Sequence, residues 1–283
     1  MPIPVVIFHV GGNQPYFINC VNISSQKNMV YLVGDDSNKR TFVNNQNVLF
    51  FHVDDLSSKE ADDFKHRFVN YSTNDQHFEM YCFLRVFYMK TLFEKTQDSR
   101  MFHTDSDCVI LESVSNLFSE SDAVTSYFIE KSTNKYHMVG SIHNALIDIH
   151  FCNKFIQLCF DVYGNRTKFH LIDEKIQWHQ NTGMPGGICD MTLYYLLYSE
   201  KRIDNIVDLN IPISQNGEDV VFGDYILGSN GYGGYVFETH DEIKTVVKTE
   251  RGCYFKTVDG RLIKTASIHF NCNTKYLLEQ FSV

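Results

Sequence analysis

Short apolar runs alternate with segments of helical periodicity along the chain as far as residue 104. The runs contain few polar positions and end in Gly, Asp or other turn-forming residues, a pattern typical of buried strands. Strands of this kind are predicted at Pro4–Val10, Met29–Val33, Val48–Val53 and Met101–Thr104, and helices between them at Pro15–Ser25, Ser57–Val69 and Asn74–Lys95. Strands that alternate with helices favour a mainly parallel sheet with helices on both faces.

The second part of the chain has a different pattern. Residues Ala145–Val162 carry a helical apolar stripe, and a Gly-rich loop, Asn181–Gly187, leads into a predicted helix at Asp190–Tyr198. Beyond Ile203, short runs rich in Val, Ile, Phe and Tyr are separated by Gly and Asn, which predicts strands joined by turns. Three of these runs predict an antiparallel meander: Ile243–Val247, Cys253–Thr257 and Leu262–Lys264. The predicted fold class is therefore α/β, with a mainly parallel sheet flanked by helices and a smaller antiparallel, strand-rich C-terminal part.

The composition narrows the functional classes. With 283 residues the chain can form one large domain or two closely packed lobes. Its formal net charge of -9 argues against a nucleic-acid partner and against a polybasic membrane patch. Without a recognisable signal peptide or an apolar run of roughly 18 residues, we expect no transmembrane segment and a soluble, cytoplasmic protein. The eight cysteines lack C-x-x-C spacing, which fits a reduced protein better than a zinc module or a disulfide scaffold.

The most informative motif is Asp105-Ser106-Asp107, which follows the apolar run Met101–Thr104. Residues two apart in an extended segment point to the same side, so both carboxylates can face one small volume. Two adjacent carboxylates repel each other unless a cation lies between them, and hard oxygen ligands of this kind suit Mn²⁺ or Mg²⁺. Asp-Ser-Asp is also ordinary turn chemistry, and that structural explanation stays open for the motif in isolation.

Arg85 is the single charged residue between Glu79 and Lys90 in a predicted helix whose faces are all apolar. A buried guanidinium is costly unless it is paired with an acid. Two interpretations are therefore open. Arg85 forms an internal ion pair with some carboxylate, or it contacts a bound sugar or the Asp105/Asp107 pair.

Four pieces of the sequence, taken in order, resemble the GT-A glycosyltransferases, which transfer sugars from nucleotide-diphosphate donors. They are the opening run Val5–Val10 with its Gly turn, the segment Glu79–Phe87 that contains Arg85, the D-x-D within Phe102–Leu111, and Ser267–Leu277. The last is similar to the closing H-F-x-x-x-x-K of bacterial members. The chain departs from that closing motif at Asn271-Cys272, where Gln-Gly is common.

The resemblance implies roles for individual residues. Asp105 and Asp107 would be ligands of Mn²⁺ or Mg²⁺, with His269 as a third ligand or a diphosphate contact. Asp105 would also belong to the donor-binding set, whose other members are His9, Val10, Gly11, Asp35, Asp36, Arg85, Ser106 and Lys275. Structural explanations exist beside these roles: Asp35 and Asp36 are turn formers, His269 a satisfied strand-end residue and Lys275 a solvated helix charge.

Asp190 follows the Gly-rich loop, where related enzymes place a carboxylate near the acceptor hydroxyl. The resemblance implies that Asp190 is the catalytic base if the reaction is inverting. A helix N-cap is the structural alternative for the same residue. Trp178, Gly186 and Gly187 are the predicted acceptor-binding residues, and a core position for Trp178 is equally compatible with the sequence.

The predicted function is metal-dependent transfer of a sugar from a nucleotide-diphosphate donor, with UDP as the expected nucleotide, to a hydroxyl of a glycan acceptor, as in polysaccharide biosynthesis. We predict one domain, 1–283, in which residues 1–111 bind the nucleotide sugar and residues 112–283 bind the acceptor and close the site. A non-catalytic carbohydrate-binding protein is an alternative, suggested by 16 Tyr and 23 Phe. A haloacid-dehalogenase-type phosphatase is a weaker alternative, because its acid pair normally lies near the start of a chain.

Overall fold

The computed structural model describes residues 2–119, 125–164, 169–223, 225–229 and 232–281. Strands within them are β1 (Val5–His9), β2 (Val30–Gly34), β3 (Val48–His52), β4 (Tyr71–Ser72), β5 (Met101–Thr104), β6 (Cys108–Ile110), β7 (Thr125–Ile129), β8 (Gly140–Ile147), β9 (Gly187–Ile188), β10 (Ile206–Asp208), β11 (Ile213–Gln215), β12 (Glu218–Phe222), β13 (Thr239–His240), β14 (Ile243–Lys244), β15 (Val246–Thr249), β16 (Gly252–Lys256) and β17 (Leu262–His269). Helices are α1 (Pro15–Ser24), α2 (Lys59–Arg67), α3 (Gln76–Thr96), α4 (Val114–Leu117), α5 (Ile149–Tyr163), α6 (Phe169–Thr182), α7 (Asp190–Ser199) and α8 (Lys275–Gln280).

The larger sheet has seven strands in the order β10-β7-β8-β5-β1-β2-β3. Strands β5, β1, β2 and β3 run parallel to one another. β8 pairs antiparallel with both β5 and β7, and β10 pairs parallel with β7. Because β1, β2 and β5 are parallel, the loops that follow them meet at one edge of the sheet, where open α/β sheets form their binding crevices.

Alternating side chains of β1 divide the interior into two layers. Val6 belongs to an apolar cluster with α2, α3, α5 and α7, whereas Val5 and Ile7 belong to a cluster with α1 and the second sheet. One face of the larger sheet is therefore covered by helices, and the other by a helix together with strands. Removal of this apolar surface from water is the dominant favourable term in folding.

The smaller sheet runs β11-β12-β17-β16-β15, with β6 paired to the far part of β17. Its strand pairs are antiparallel except β12 with β17, which is parallel. The predicted meander is present, but β17 continues past Lys264 to His269. The predicted α/β class, with its mainly parallel sheet flanked by helices and its smaller antiparallel C-terminal part, is confirmed.

The predicted helix at Ala145–Val162 begins too early and is wrong at its start. Ala145–Ile147 belong to β8 and pair with Met101–His103 of β5. The helix α5 begins at Ile149, and the Asp148 side chain caps it by accepting a hydrogen bond from the Phe151 N–H at 2.8 Å. A short apolar run fits a buried strand or a helix equally well by periodicity, and here pairing with β5 decides between them.

The Gly-rich segment before α7 is shorter than its sequence predicts. Asn181 and Thr182 are the last residues of α6, and Gly187 already belongs to β9, which pairs with β4. Of the helices in the described ranges, none combines the length and the apolar character that crossing a membrane requires.

Candidate functional site

Asp105 and Asp107 lie in the tight turn that joins β5 of the larger sheet to β6 of the smaller one. The Asp105 N–H donates to the His143 carbonyl at 3.1 Å, and the Cys108 N–H donates to the Asp105 carbonyl at 3.0 Å. These bonds fix the turn at the junction of the two sheets. Both carboxylates are partly buried there, and the Asp107 side chain is only 13% exposed.

The end of β17 lies directly against this turn. His269 is opposite Cys108 in the antiparallel ladder, and the Phe270 N–H donates to the Asp107 carbonyl at 2.8 Å. Nε2 of His269 is 3.3 Å from Oδ1 of Asp107. Ligand atoms of Asp105, Asp107 and His269 all lie within 4.8 Å of one another. The structure thus brings the three predicted metal ligands together, and the two carboxylates supply the hard oxygen atoms that Mn²⁺ and Mg²⁺ prefer.

Lys275, at the start of α8, adds a cation to this cluster. Its Nζ is 3.1 Å from Oδ2 of Asp107 and 4.8 Å from the centre of the Tyr16 ring. Burial by itself lowers the pKa of Lys275, but the Asp107 carboxylate, together with Tyr16 and Asp105, outweighs burial and keeps the pKa above its usual value. The side chain is still 39% exposed, so its charged ammonium is accessible to a second anion.

Arg85 connects the D-x-D turn to the start of α7. Its Nη1 donates to Oδ1 of Asp105 at 2.8 Å, and its Nη2 donates to Oδ2 of Asp190 at 2.7 Å. Burial by itself raises the pKa of Asp105, but the Arg85 charge, together with the neighbouring His103, His269 and His143, outweighs burial and holds the pKa well below its usual range. Arg85 therefore forms internal ion pairs, as the first interpretation expects. One of its two partners is an acid of the D-x-D motif, as the second interpretation expects.

Asp190 is the first residue of α7, and the N-cap is Cys189. The N-cap explanation of Asp190 is therefore wrong. Its side chain is 5% exposed, and its Oδ1 accepts a hydrogen bond from the Met191 N–H at 2.8 Å. With Arg85 on Oδ2, each oxygen of this carboxylate has a partner.

His143 of β8 lies beside His269, although its sequence context contains no sign of a site. The two rings stack with centroids 4.7 Å apart, and His143 also stacks on Phe128 at 4.4 Å. Nδ1 of His143 is 2.7 Å from the Ser141 hydroxyl. Burial, reinforced by the neighbouring His269, holds the pKa of His143 well below its usual value. An uncharged imidazole therefore supports the ring of the candidate ligand His269.

His9, at the C-terminal end of β1, is held by three neighbours. Its ring stacks on Phe17 with centroids 3.8 Å apart, its Nδ1 is 3.0 Å from the Ser106 hydroxyl, and its Nε2 is 2.7 Å from Oε1 of Gln14. Burial lowers the pKa of His9. His9 and Ser106, both predicted to bind a donor, are thereby joined, so the end of β1 and the D-x-D turn form a continuous wall.

Asp35 and Asp36, at the end of β2, occupy different environments. Oδ2 of Asp35 accepts a hydrogen bond from the Gly11 N–H at 2.8 Å, which ties the loop after β1 to the loop after β2. The Asp36 side chain is 89% exposed, and its Oδ1 lies 3.5 Å from Nε2 of His52. Asp35 therefore orders the loop that contains Gly11, whereas Asp36 faces solvent.

Three neighbouring cavities lie at the acidic cluster, and we name them the first, central and third cavity. The central cavity, of about 380 Å³, contains the acids and their partners; among its lining residues are Arg85, Asp105, Asp107, Asp190 and His269. The first cavity, of about 410 Å³, is largely apolar and shares Phe8, Phe78, Cys82, Arg85, Ser106 and Lys275 with the central one. The third cavity, of about 270 Å³, shares Ser141, Met191 and Tyr225 with the central one. The central cavity therefore adjoins an aromatic pocket and, through other residues, a second pocket.

The predicted acceptor residues lie apart from these cavities. Trp178 is on α6 and stacks on Tyr136 with ring centroids 5.7 Å apart. Gly187 pairs with Ser72 in the β4–β9 ladder, and a Cβ atom at this position would lie 2.0 Å from the Tyr71 carbonyl oxygen. Gly186 bonds to Thr73 in the adjoining loop. None of the three predicted residues is among the described residues that line the three cavities.

Other lining residues have no signal in the sequence that marks them for a site. Tyr225, Ser141 and Met191 come from separate loops and elements of the second half of the chain. Glu79 also lines the central cavity. In the sequence it is the last charged residue before Arg85 on a predicted helix with apolar faces. An acid on such a helix is expected to be buried, and this is the one signal that could have identified Glu79.

No protein-family model matches the sequence, and no curated protein sequence matches it. Solved structures similar to the chain include several glycosyltransferases. Mouse xyloside xylosyltransferase 1 has 12% identity and a TM-score of 0.46, with 75% of this chain and 87% of that chain covered. The galactosyltransferase LgtC has 12% identity and a TM-score of 0.42, with 69% of each chain covered. The glycosyltransferase GlyE of Streptococcus pneumoniae TIGR4 has 15% identity and a TM-score of 0.38, with 74% of this chain and 45% of that chain covered.

Proposed function

We propose that the protein is a metal-dependent glycosyltransferase that moves a sugar from a nucleotide-diphosphate donor, a UDP-sugar, to a hydroxyl of a glycan. The single observation that supports this most is the cluster of Asp105, Asp107 and His269 within 4.8 Å, at the central one of three adjoining cavities. A donor needs room for a nucleoside, a diphosphate and a sugar, and an acceptor next to them. We assign the first cavity to the nucleoside, the central cavity to the diphosphate and sugar, and the third cavity to the acceptor.

The diphosphate would bind in the central cavity. Lys275 presents an ammonium that is 39% exposed beside Asp107, and Arg85 lines the same cavity. A chain with a formal net charge of -9 repels a diphosphate, so local cations are needed at the place where it binds. A divalent ion on Asp105, Asp107 and His269 would neutralise the charge of the leaving diphosphate. Lys275 would share that task through a charge-assisted hydrogen bond.

The first cavity suits the nucleoside. Tyr16, Phe78 and Tyr81 line it, together with Val10 at the end of β1. Phe78 and Tyr81 are exposed aromatic residues on α3, at 61% and 47%, and flat bases stack on such side chains. The choice of uridine follows from the resemblance of the ordered motifs, and the aromatic lining supports a base of any kind.

The third cavity suits the acceptor. Tyr225 and Tyr232 supply aromatic surface, while Glu130 and Asn210 supply polar groups for sugar hydroxyls. Tyr225 lines this cavity and the central one, so an acceptor bound there lies next to the donor. Trp178, Gly186 and Gly187 remain the acceptor prediction from the sequence, and the two placements lead to different experiments.

Asp190 remains the proposed base for an inverting reaction. Its two oxygens already accept hydrogen bonds from Arg85 and Met191, so its first role in this geometry is to hold Arg85. Proton transfer to Asp190 would require Arg85 to move or to share the carboxylate with the acceptor hydroxyl. Loss of transfer with retained donor binding in Asp190→Asn would support the base role.

The proposal is tested by titration of UDP in the presence and absence of MnCl₂. We expect the wild-type protein to bind UDP in a Mn²⁺-dependent manner. In Asp107→Asn the affinity for UDP should fall by at least roughly 100-fold, because loss of a direct metal ligand should weaken binding more than loss of a residue that only orients a ligand. Asp63→Asn, an exposed acid of α2, is the matched control and should leave binding unchanged. Metal-dependent hydrolysis of UDP-sugars should follow the same order.

Two results would contradict the proposal. Binding of free sugars without any response to UDP and Mn²⁺ would indicate a carbohydrate-binding protein. A covalent phosphate on Asp105 after incubation with a phosphate ester would indicate a phosphatase. Neither alternative is favoured by an observation at the site. For the phosphatase in particular, Oδ1 of Asp105, the residue that would carry the phosphate, is already bonded to Arg85.

A further inference from the structure

Glu79 is a buried acid that the proposed chemistry does not use. It lies in the first turns of α3 and is 2% exposed. Burying a carboxylate without full hydrogen bonding is unfavourable, so acids in such positions require an explanation. Burial raises the pKa of Glu79, and the nearby Asp190 carboxylate adds to this effect, although Asn74, Ser72 and Arg85 oppose it.

The two oxygens of Glu79 have different environments. Oε1 accepts hydrogen bonds from the Ser72 hydroxyl at 3.0 Å and from Nδ2 of Asn74 at 2.6 Å. Oε2 is buried and has no hydrogen-bond partner among the described residues. The contacts of Oε1 fix the segment around β4 to the start of α3. They account for one oxygen and leave the second unexplained.

The position of Glu79 relative to the acidic cluster gives Oε2 a role. Glu79 lines the central cavity together with Arg85 and Asp190. It precedes Arg85 by six residues on the same helix, which corresponds to about 9 Å along the axis. A sugar attached to a diphosphate near Asp107 and Lys275 can occupy this space. The terminal torsion of a Glu side chain is broad and roughly two-fold, so it is soft enough for Oε2 to turn toward a sugar bound in this cavity.

We propose that Oε2 of Glu79 accepts a hydrogen bond from one hydroxyl of the donor's sugar and that Glu79 thereby selects sugars which carry that hydroxyl. The inference rests on the proposed function. A buried acceptor that is satisfied only by the correct substrate penalises an analogue without the hydroxyl, because the acceptor is then left unpaired. Glu79 is therefore a specificity-determining residue of the donor site.

The experiment measures dissociation constants by calorimetry in MnCl₂ for UDP, for UDP-glucose, UDP-galactose, UDP-xylose and UDP-N-acetylglucosamine, and for the 2-, 3-, 4- and 6-deoxy forms of UDP-glucose. For wild type we expect one deoxygenation to weaken binding by roughly 10- to 100-fold. In Glu79→Ala the same deoxygenation should have almost no effect, while the other positions respond as in wild type. UDP itself should bind equally to both proteins.

Two further variants separate recognition from a purely structural role. Glu79→Gln keeps the acceptor for Ser72 and Asn74 and should show an intermediate penalty, which protects the test if Glu79→Ala fails to fold. Ser72→Ala removes one bond to Oε1 and should keep the wild-type response to every deoxy analogue. An identical deoxy profile in wild type, Glu79→Gln and Glu79→Ala would overturn the inference while leaving the proposed function intact. Failure of the wild-type protein to bind UDP in MnCl₂ would overturn both.

Discussion

Arg85 and Asp190 form a buried ion pair, with Nη2 2.7 Å from Oδ2, although 105 residues separate them in the sequence. The same guanidinium bonds to Asp105, so a single side chain of α3 connects the D-x-D turn with the start of α7. The two ion pairs of Arg85 thus join the part of the chain that supplies the acids to the part that we propose faces the acceptor. Removal of Arg85 should affect both.

Replacement of Arg85 by Met should lower the free energy of unfolding by about 3–5 kcal/mol, because Asp190 would keep a buried charge without its partner. Urea denaturation measures this change. Arg202→Met is the matched control, since Arg202 also bridges two acids, Glu200 and Asp161, at similar exposure but away from the site. We expect Arg202→Met to lose stability and to keep Mn²⁺-dependent UDP binding, whereas Arg85→Met loses both. Full UDP binding by a folded Arg85→Met protein would contradict the role of Arg85 in the donor site.

Lys275→Ala should change the binding of the metal and of the nucleotide in opposite directions. Its ammonium is 3.1 Å from Oδ2 of Asp107 and competes with a cation for that carboxylate, so Mn²⁺ alone should bind several-fold more tightly to the variant. UDP in the presence of Mn²⁺ should bind roughly tenfold more weakly, because a charge-assisted bond to phosphate is lost. Calorimetric titrations with Mn²⁺ and then UDP measure both constants.

A control for the Lys275 experiment is Lys256→Ala, which removes a lysine paired with Glu238 at similar exposure. It should leave both constants unchanged. Weaker binding of both Mn²⁺ and UDP in Lys275→Ala would show instead that Lys275 has a structural role in holding the Asp107 turn.

The stability conferred by Glu79 should depend on pH with a defined sign. Burial raises the pKa of Glu79 in the folded protein, so its contribution is fully present below the unfolded value of about 4.3 and is lost as pH rises through the folded pKa. Relative to wild type, Glu79→Gln should therefore gain free energy of unfolding between pH 4 and pH 7. Asp190 and Arg85 are the charged groups that face Glu79 from other parts of the site. Parallel pH profiles of the two proteins, measured by urea unfolding, would contradict this expectation.

Gly187→Ala should destabilise the protein by about 2 kcal/mol or more, since a Cβ atom would lie 2.0 Å from the Tyr71 carbonyl oxygen at a φ of +133°. Gly183→Ala is the control in the loop that precedes β9, where φ is +67° and nothing lies within 4 Å of the added atom. It should cost about 1 kcal/mol. Both proteins should retain UDP binding. Loss of acceptor use in Gly187→Ala at unchanged stability would support the acceptor role predicted from the sequence.

The acceptor position can be decided by two substitutions. With aryl glycosides as acceptors, Tyr225→Ala should raise the acceptor KM roughly tenfold, because Tyr225 lines both the central and the third cavity. Trp178→Ala removes the ring that stacks on Tyr136 and should leave the KM unchanged. UDP binding in MnCl₂ serves as the check that the proposed metal site at His269 persists. The reverse order of effects would place the acceptor beside α6.

The sequence predicted those parts of the site whose residues are adjacent along the chain. Asp105 and Asp107 are two residues apart directly after an apolar strand, so their proximity could be predicted, although they lie in a tight turn and not in the extended segment that we expected. Arg85 was identifiable because a single charge on a helix with apolar faces needs a partner. His269 was predicted as a metal ligand from the resemblance to the closing H-F-x-x-x-x-K motif. The structure places it within reach of Asp107.

Other residues depend on strand pairing, which no local pattern determines. His143 and Ser141 belong to β8, whose last residues have a periodicity that also fits a helix. Only the antiparallel pairing of β8 with β5 places His143 against His269. The free oxygen of Glu79 could not be predicted either, because the hydrogen bonds that occupy its other oxygen come from Ser72 of β4, a strand that the sequence does not predict, and from Asn74.

The ladder between β6 and β17 has a consequence for the order in which the site is assembled. It joins Asp107 to His269 and Lys275, which emerge from the ribosome long after the acids do. During synthesis the acid pair is therefore incomplete, and its affinity for ions should be low until the last strand has docked. A divalent ion at the proposed site would bind only the completed cluster, so it should stabilise the C-terminal strand and helix against unfolding more than the larger sheet.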